Sequence, residues 1–311
     1  MRFLSCLLSI LLLGTVPLLA QADLPYQRLV LDEADATYGY YFAIAPEQID
    51  GAVVLFPGFG QIAESVLVST ALPEVAYQNN LLTLVYAGGQ RLTADSLVAG
   101  HITRMLRDAL DRFDIPTDKF ALGGFSSGGT IALRYTQLCH QHPEAYPIQP
   151  AAVFMGDSPV DLFRLWAMQE ENLQPGNADV SIEEAKRLET ALQTAYGATP
   201  RENPDIYRDL SPFSLNPIFG ENERWLQDVA VRTYHDVDIN WRIQERGQSV
   251  FYRNYVASSE LINRLRKAGN KRAEFIQTFQ TGYRRNGQRH PHSWSIIDAE
   301  ECVAWILGLF R

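Results

Sequence analysis

Residues 124–129 read GFSSGG and fit the pattern G-x-S-x-G, with Ser126 at its centre. An apolar stretch precedes this motif and the helix-like sequence TIALRYTQL follows it, so the pattern predicts a sharp turn from a strand into a helix. Glycine is needed on both sides because a side chain there would collide with neighbouring backbone. The serine would then lie over a helix N-terminus, whose free N–H groups favour developing negative charge. The motif therefore predicts that Ser126 is a nucleophile.

The motif and its strand–turn–helix context resemble those of the α/β-hydrolase superfamily, which includes serine esterases, lipases and peptidases. The resemblance covers nearly all of the chain after residue 22. Members of this superfamily keep a serine, an acid and a histidine in that order along the chain, each on a loop that follows a strand. The resemblance therefore implies that the acid and the histidine lie on later loops.

The resemblance places the histidine after the last strand and ahead of the last helix. Residues 289–295 (RHPHSWS) lie there, and the last helix is expected to begin near residue 293 or 295 and to end near residue 309. His292 resembles the superfamily's catalytic histidine in position. His290, on the other side of a proline, is the second candidate.

The resemblance implies that the acid follows the last strand but one, which is predicted at residues 229–234. Residues 229–241 read VAVRTYHDVDINW and contain two aspartates. In the superfamily the acid tends to lie a few residues beyond the end of the strand, which favours Asp238. Asp236 is the alternative, and another carboxylate also stays open.

Two backbone N–H groups are expected to stabilise the oxyanion that forms during acyl transfer. The resemblance assigns one to Ser127, the residue after the nucleophile. The other is implied to come from residues 57–60 (PGFG), which are close to the His-Gly-x-Gly of many superfamily members, with Pro57 where histidine is common. Phe59 is the expected donor and Gly60 the alternative.

These assignments imply a serine hydrolase that forms an acyl-enzyme on Ser126, with His292 as general base and Asp238 as its partner. We expect a small-molecule carboxylic ester as substrate. A peptidase acting on short peptides and an inactive fold used for binding are the alternatives. The mechanism requires no cofactor, and no Cys/His cluster has the spacing of metal ligands, so no metal site is predicted.

Short apolar runs alternate with helix-length segments, which predicts an α/β fold with a mostly parallel central sheet and helices on both faces. Helices are expected at 94–113 and 127–139. The predicted strands are residues 40–45, 52–56, 81–86, 120–123, 151–155, 229–234 and 273–279.

The alternation breaks between residues 157 and 228. Helical patterns at 160–170 and 181–196 are separated by loops that contain proline and asparagine. We interpret residues 157–228 as a helical cap inserted into the hydrolase domain, which would span residues 23–311. A set of peripheral helices with no part in the site is the alternative.

Residues 1–22 have the features of a secretory signal peptide. Arg2 precedes an apolar run, and Ala20 and Ala22 offer a cleavage site of the A-x-A type. The run is interrupted and shorter than the roughly 20 residues that span a bilayer. The sequence therefore predicts a secreted or periplasmic protein that is not stably inserted in a membrane after cleavage.

A net charge of −9 argues against nonspecific binding to nucleic acids, which requires a basic surface. After cleavage, Cys139 and Cys302 remain. The resemblance implies that their helices pack on opposite faces of the sheet, too far apart for a disulfide, so two free thiols are expected.

Positive charge is concentrated next to the histidine candidates. Arg284, Arg285 and Arg289 lie in the same loop and could attract an anionic group of a substrate, although a solvated loop is the simpler interpretation. Four aromatic residues could line a pocket, with core packing as the simpler role: Tyr234, Trp241, Tyr252 and Tyr255.

Overall fold

A computed structural model describes residues 24–216, 218 and 220–311 of the chain. The predicted signal peptide at residues 1–22 lies outside the described residues. Within the described ranges, no helix is long and apolar enough to cross a membrane.

The described part of the chain forms one eight-stranded sheet with the strand order β1-β2-β4-β3-β5-β6-β7-β8. Strand β2 pairs antiparallel with β1 and β4, and all other neighbours are parallel. The strands are β1 (Tyr26–Val30), β2 (Tyr40–Ile44), β3 (Gly51–Phe56), β4 (Leu81–Tyr86), β5 (Phe120–Phe125), β6 (Ala152–Gly156), β7 (Ala230–Asp236) and β8 (Ala273–Thr278).

Ten α-helices lie in the described ranges. They are α1 (Ala63–Ser69), α2 (Leu72–Gln78), α3 (Ser96–Arg112), α4 (Ser127–Gln141), α5 (Leu162–Asn172), α6 (Asp179–Tyr196), α7 (Pro204–Leu210), α8 (Ile239–Arg246), α9 (Asn254–Lys267) and α10 (Ala299–Leu309). Short 3₁₀ helices span Asn222–Leu226 and Trp294–Ile296. The last α-helix begins later than the sequence suggested because Asp298 accepts a hydrogen bond from the Glu301 N–H and caps it.

Apolar packing on both faces of the sheet explains the continuous apolar runs in its central strands. Every residue of β3, β4 and β5 is buried. Alternate residues of these strands belong to two separate apolar clusters, one on each face. Cys139 lies in the first cluster and Cys302 in the second, and both thiols are free.

The helices α5, α6 and α7 follow one another between β6 and β7, in the segment where the sequence predicted a helical cap. They share a small apolar cluster with Leu92, which is separate from the two clusters on the sheet. Phe59, from the loop after β3, packs against this cluster. These helices therefore contact the loop in which an oxyanion donor is expected.

Candidate active site

Ser126 lies between β5 and α4 with φ 55° and ψ −128°, a backbone conformation that non-glycine residues rarely adopt. The turn is tight enough to require its glycines. A Cβ on Gly124 would lie 2.4 Å from the carbonyl carbon of Gly128, and one on Gly128 would lie 2.1 Å from the carbonyl oxygen of Phe56. The predicted strand–turn–helix elbow is thus present, with Ser126 at its apex.

Ser127 is the first residue of α4, and its N–H has no acceptor among the described residues. A helix N-terminus leaves such groups free and carries partial positive charge. The amide is therefore available to an oxyanion beside Ser126.

The loop after β3 distinguishes the two candidates for the second oxyanion donor. The Gly60 N–H donates to the carbonyl oxygen of Gly89 at 2.8 Å, so it is already occupied. The Phe59 N–H has no acceptor within the described part of the chain. The structure thus leaves the amide of Phe59, not that of Gly60, free for a ligand.

Gln61 holds this loop in place. Its Oε1 accepts hydrogen bonds from the Gly58 N–H at 2.9 Å and from Trp294 Nε1 at 3.2 Å. Trp294 is two residues beyond His292, so one side chain joins the loop after β3 to the segment that carries the histidine candidate.

His292 and Asp157 form the hydrogen bond expected between a catalytic base and its acid. His292 Nδ1 donates to Asp157 Oδ2 at 2.7 Å, and the ring packs on Phe125 with 4.4 Å between the ring centroids. This bond leaves Nε2 of a neutral imidazole free to accept a proton.

Asp157 directly follows β6, with φ 43°, and its carboxylate is buried. It also accepts hydrogen bonds from His235 Nδ1 at 3.1 Å and from Arg242 Nη2 at 3.3 Å. Burial would raise the pKa of Asp157, but the charge of His292 and the hydrogen bonds from His235 and His292 outweigh it. They hold the pKa of Asp157 well below its ordinary value.

The predicted pairing of Asp238 with His292 is wrong in this structure. Asp238 Oδ1 accepts from the Trp241 N–H and caps α8, and its Oδ2 accepts from Arg289 at 3.0 Å. The carboxylate that contacts His292 comes from the end of β6, one strand closer to β5 in the sheet.

The alternative acid, Asp236, also has other partners. Its carboxylate accepts from the Gln280 N–H at 3.0 Å and the Gly282 N–H at 2.7 Å, and it pairs with Arg289 at 2.9 Å. Asp236 and Asp238 thus anchor the histidine-bearing loop through Arg289. A signal for Asp157 exists in the sequence, since it lies two residues beyond a predicted buried strand.

His290, the second candidate for the base, has both ring nitrogens engaged. Its Nε2 accepts from Arg246 Nη2 at 2.6 Å, and its Nδ1 donates to the carbonyl oxygen of His292 at 2.9 Å. Burial, together with the positive charges of His292 and Arg284, lowers the pKa of His290 to about 3. His290 is therefore a neutral structural group and not a free base.

Ser126, His292 and Asp157 line one cavity of about 150 Å³, together with Phe59 and Ser127. Helices α5 and α6 contribute apolar walls from Leu165, Met168 and Leu188. The four aromatic side chains considered from the sequence are not among the lining residues. Within the described ranges, no group of three or more His, Cys, Asp or Glu is arranged to hold a metal ion.

Comparison with known proteins gives similarity in structure only, since no family model and no curated protein matches the sequence. MPT51 of Mycobacterium tuberculosis is 15% identical, with a TM-score of 0.55 over 92% of this chain and 99% of that one. Carboxyl esterase 2 of Tuber melanosporum is 13% identical, with a TM-score of 0.54 over 91% of this chain and 84% of the other.

A third solved structure is FphF, a fluorophosphonate-binding serine hydrolase of Staphylococcus aureus. It is 9% identical, with a TM-score of 0.52 over 92% of this chain and 98% of that one. At such low identities the likeness establishes the fold. Together with the strand order and the elbow at Ser126, it identifies the chain as an α/β-hydrolase-fold protein.

Proposed function

We propose that this chain is a serine hydrolase that cleaves carboxylic esters, with Ser126 as nucleophile, His292 as general base and Asp157 as the acid that orients it. The proposal depends above all on the 2.7 Å hydrogen bond from His292 Nδ1 to Asp157 Oδ2, in the cavity that Ser126 lines. Esterases and a serine hydrolase among the structural neighbours support the reaction class.

In this mechanism, Ser126 Oγ forms a bond to the acyl carbon while His292 Nε2 takes the hydroxyl proton. The ester C–O bond then breaks, and the alcohol leaves with that proton. Water attacks the acyl carbon and gives a proton to His292. The bond from that carbon to Ser126 Oγ then breaks, His292 returns the proton to Oγ, and the carboxylic acid leaves. The N–H groups of Phe59 and Ser127 stabilise the oxyanion in both halves of the reaction.

The surroundings of Asp157 suit this role. A carboxylate that stays ionised stabilises the imidazolium ion formed when His292 takes a proton. His235 and Arg242 donate to the same carboxylate and keep it charged and fixed in position. Because neither donor lies on the loop of His292, the acid is held independently of the base.

Labelling with a fluorophosphonate probe tests the nucleophile. The wild-type protein is expected to form one adduct, and Ser126→Ala to lose it. Ser127→Ala is the matched control, because it keeps the backbone N–H and removes a buried hydroxyl that has no hydrogen-bond partner within the described ranges. Undiminished labelling of Ser126→Ala, with the adduct on another residue, would refute the proposal.

Export is part of the proposal and depends on residues 1–22 alone. We propose that this segment is a signal peptide and that the mature protein is secreted or periplasmic. The mature chain is expected outside the cytoplasm with Asp23 as its first residue. A cytoplasmic chain that retains Met1 would contradict this.

A further inference from the structure

The cavity beside Ser126 has an unusual concentration of positive charge in its wall. Four arginines line it, and only two carboxylates do, namely Asp157 and Glu184. We use the term arginine pocket for the part of the cavity lined by Arg242, Arg246, Arg253 and Arg284. Three of these residues come from α8 and the segment that leads to α9, which lie between β7 and β8.

Arg246 has an unsatisfied hydrogen-bond donor in this pocket. Its Nη2 donates to the neutral His290, and its Nη1 is buried without a hydrogen-bond partner among the residues that the structure describes. The nearest carboxylate oxygen, on Glu184, is 3.9 Å away, and the side chain of Arg246 is only 10% exposed. A buried guanidinium with an unpaired donor is costly, so the group is suited to bind an anion that enters the cavity.

Arg253 is more deeply buried, with 5% of its side chain exposed. Its guanidinium donates to Gln248 at 2.9 Å, Asn172 at 3.1 Å and Glu171 at 3.4 Å. Within the described part of the chain, its Nε has no hydrogen-bond partner. Burial, with repulsion from Arg242, lowers the pKa of Arg253 to about 10, so Arg253 still carries its charge at neutral pH. Two buried guanidinium groups thus have donors that the protein leaves unpaired.

The remaining two arginines, Arg242 and Arg284, differ in how far their charge is available to an anion. Arg242 donates to Asp157, so its charge is partly balanced by the acid. Arg284 is exposed and lines both this cavity and a second opening that contains Phe59, Ser126 and His292. An anion approaching Ser126 would therefore meet Arg284 first and the buried arginines after it.

We infer that the substrate carries a carboxylate and that this carboxylate binds in the arginine pocket, with Arg246 as its principal partner. The planar fork of a guanidinium matches a carboxylate, and a cavity of about 150 Å³ holds a carboxylate with a short chain. This inference rests on the proposed function, because it assigns the substrate class of the same site. The carboxylate could belong to the acyl part of the ester or to its leaving group.

Two pairs of esters distinguish a carboxylate in the acyl part of the substrate from one in its leaving group. The first pair is para-nitrophenyl butyrate and the para-nitrophenyl half-ester of glutaric acid, which places the carboxylate in the acyl part. The second is para-carbamoylphenyl butyrate and para-carboxyphenyl butyrate, which places it in the leaving group. We expect the wild-type protein to prefer the anionic member of one pair by about tenfold or more in kcat/KM.

Arg246→Gln is expected to reduce this preference to about threefold or less. The preference is a ratio measured within one variant, so a general loss of activity cancels. Arg285→Gln is the matched control: Arg285 is exposed on the same loop as Arg284 and is not among the lining residues, so the preference should stay. Should Arg246→Gln fail to fold, Arg246→Lys keeps the charge without the fork and is expected to keep only part of the preference.

The inference is overturned if neither pair shows a preference, or if the preference is undiminished in both Arg246→Gln and Arg246→Lys. In both cases fluorophosphonate labelling of Ser126 and turnover of the neutral esters would persist, so the proposed function would stand. Absence of labelling together with absence of turnover of all four esters would overturn the proposed function and this inference with it.

Discussion

His292 Nδ1 lies 2.7 Å from Asp157 Oδ2, although the two residues are 135 positions apart in the chain. The contact is possible because the loop after β8 reaches back to the end of β6, past Asp236 at the end of β7 and Asp238 just beyond it. Those aspartates hold the crossing loop through Arg289. The acid that contacts the histidine and the acids that anchor its loop therefore lie at the ends of neighbouring strands.

Replacing Asp157 should therefore affect catalysis, whereas replacing an aspartate that anchors the histidine loop should affect mainly stability. Asp157→Asn is expected to lower kcat for para-nitrophenyl butyrate by about 10³-fold or more, because the amide stabilises neither the imidazolium ion nor the required tautomer. Asp238→Asn is the matched variant and should change kcat by less than about tenfold. Its main effect is on thermal stability, through the lost charge opposite Arg289.

If steady-state kinetics showed a larger loss of kcat in Asp238→Asn than in Asp157→Asn, Asp238 would be the catalytic acid. Circular dichroism of both variants checks that each is folded. Retention of more than a tenth of wild-type kcat in folded Asp157→Asn would show that the acid is not required.

The buried neutral His290 should make stability depend on pH. In the folded chain the pKa of His290 is lowered to about 3, while the unfolded chain takes up a proton near the ordinary value of 6.5. Between these values the unfolded state binds more protons, so the free energy of unfolding falls as the pH falls. The contribution is complete above about pH 6.5 and decreases below it by at most about 1.4 kcal/mol per pH unit.

Urea unfolding at about pH 7.5, 6 and 4.5 measures this slope. His290→Gln is expected to have a smaller slope than the wild-type protein. His142→Gln, which changes an exposed histidine at the end of α4, is the control and should keep the wild-type slope. An identical slope in His290→Gln would contradict the buried neutral state.

The elbow should not tolerate a side chain at Gly128. A Cβ there would lie 2.1 Å from the backbone oxygen of Phe56, and backbone cannot move aside as a flexible side chain can. Gly128→Ala is expected to cost about 3 kcal/mol or more in unfolding free energy, or to prevent folding.

Gly100 provides the matched comparison, since it lies within α3 and a Cβ there would meet nothing within 4 Å. Gly100→Ala should stabilise the protein by up to about 1 kcal/mol through helix propensity. Thermal unfolding of the two variants should therefore shift in opposite directions. A Gly128→Ala variant as stable as the wild-type protein would show that the turn is looser than the structure indicates.

Local sequence determined the parts of this protein that depend on a short stretch of chain. The apolar runs of β3 and β4 predicted buried strands, and the glycines around Ser126 predicted the elbow, because both signals act over a few neighbouring residues. Edge strand β1 escaped prediction, since Tyr26–Val30 is largely exposed and lacks an apolar run.

Tertiary structure alone decided which carboxylate meets His292. The sequence places Asp157, Asp236 and Asp238 all just beyond strand ends, and nothing local distinguishes them. The choice depends on the route of the histidine loop over neighbouring strands and on which aspartates Arg289 engages. Tertiary structure alone also decided the arginine pocket. Its side chains come from α8, the segment before α9 and the loop after β8, and they meet only because parallel strands end at one edge of the sheet.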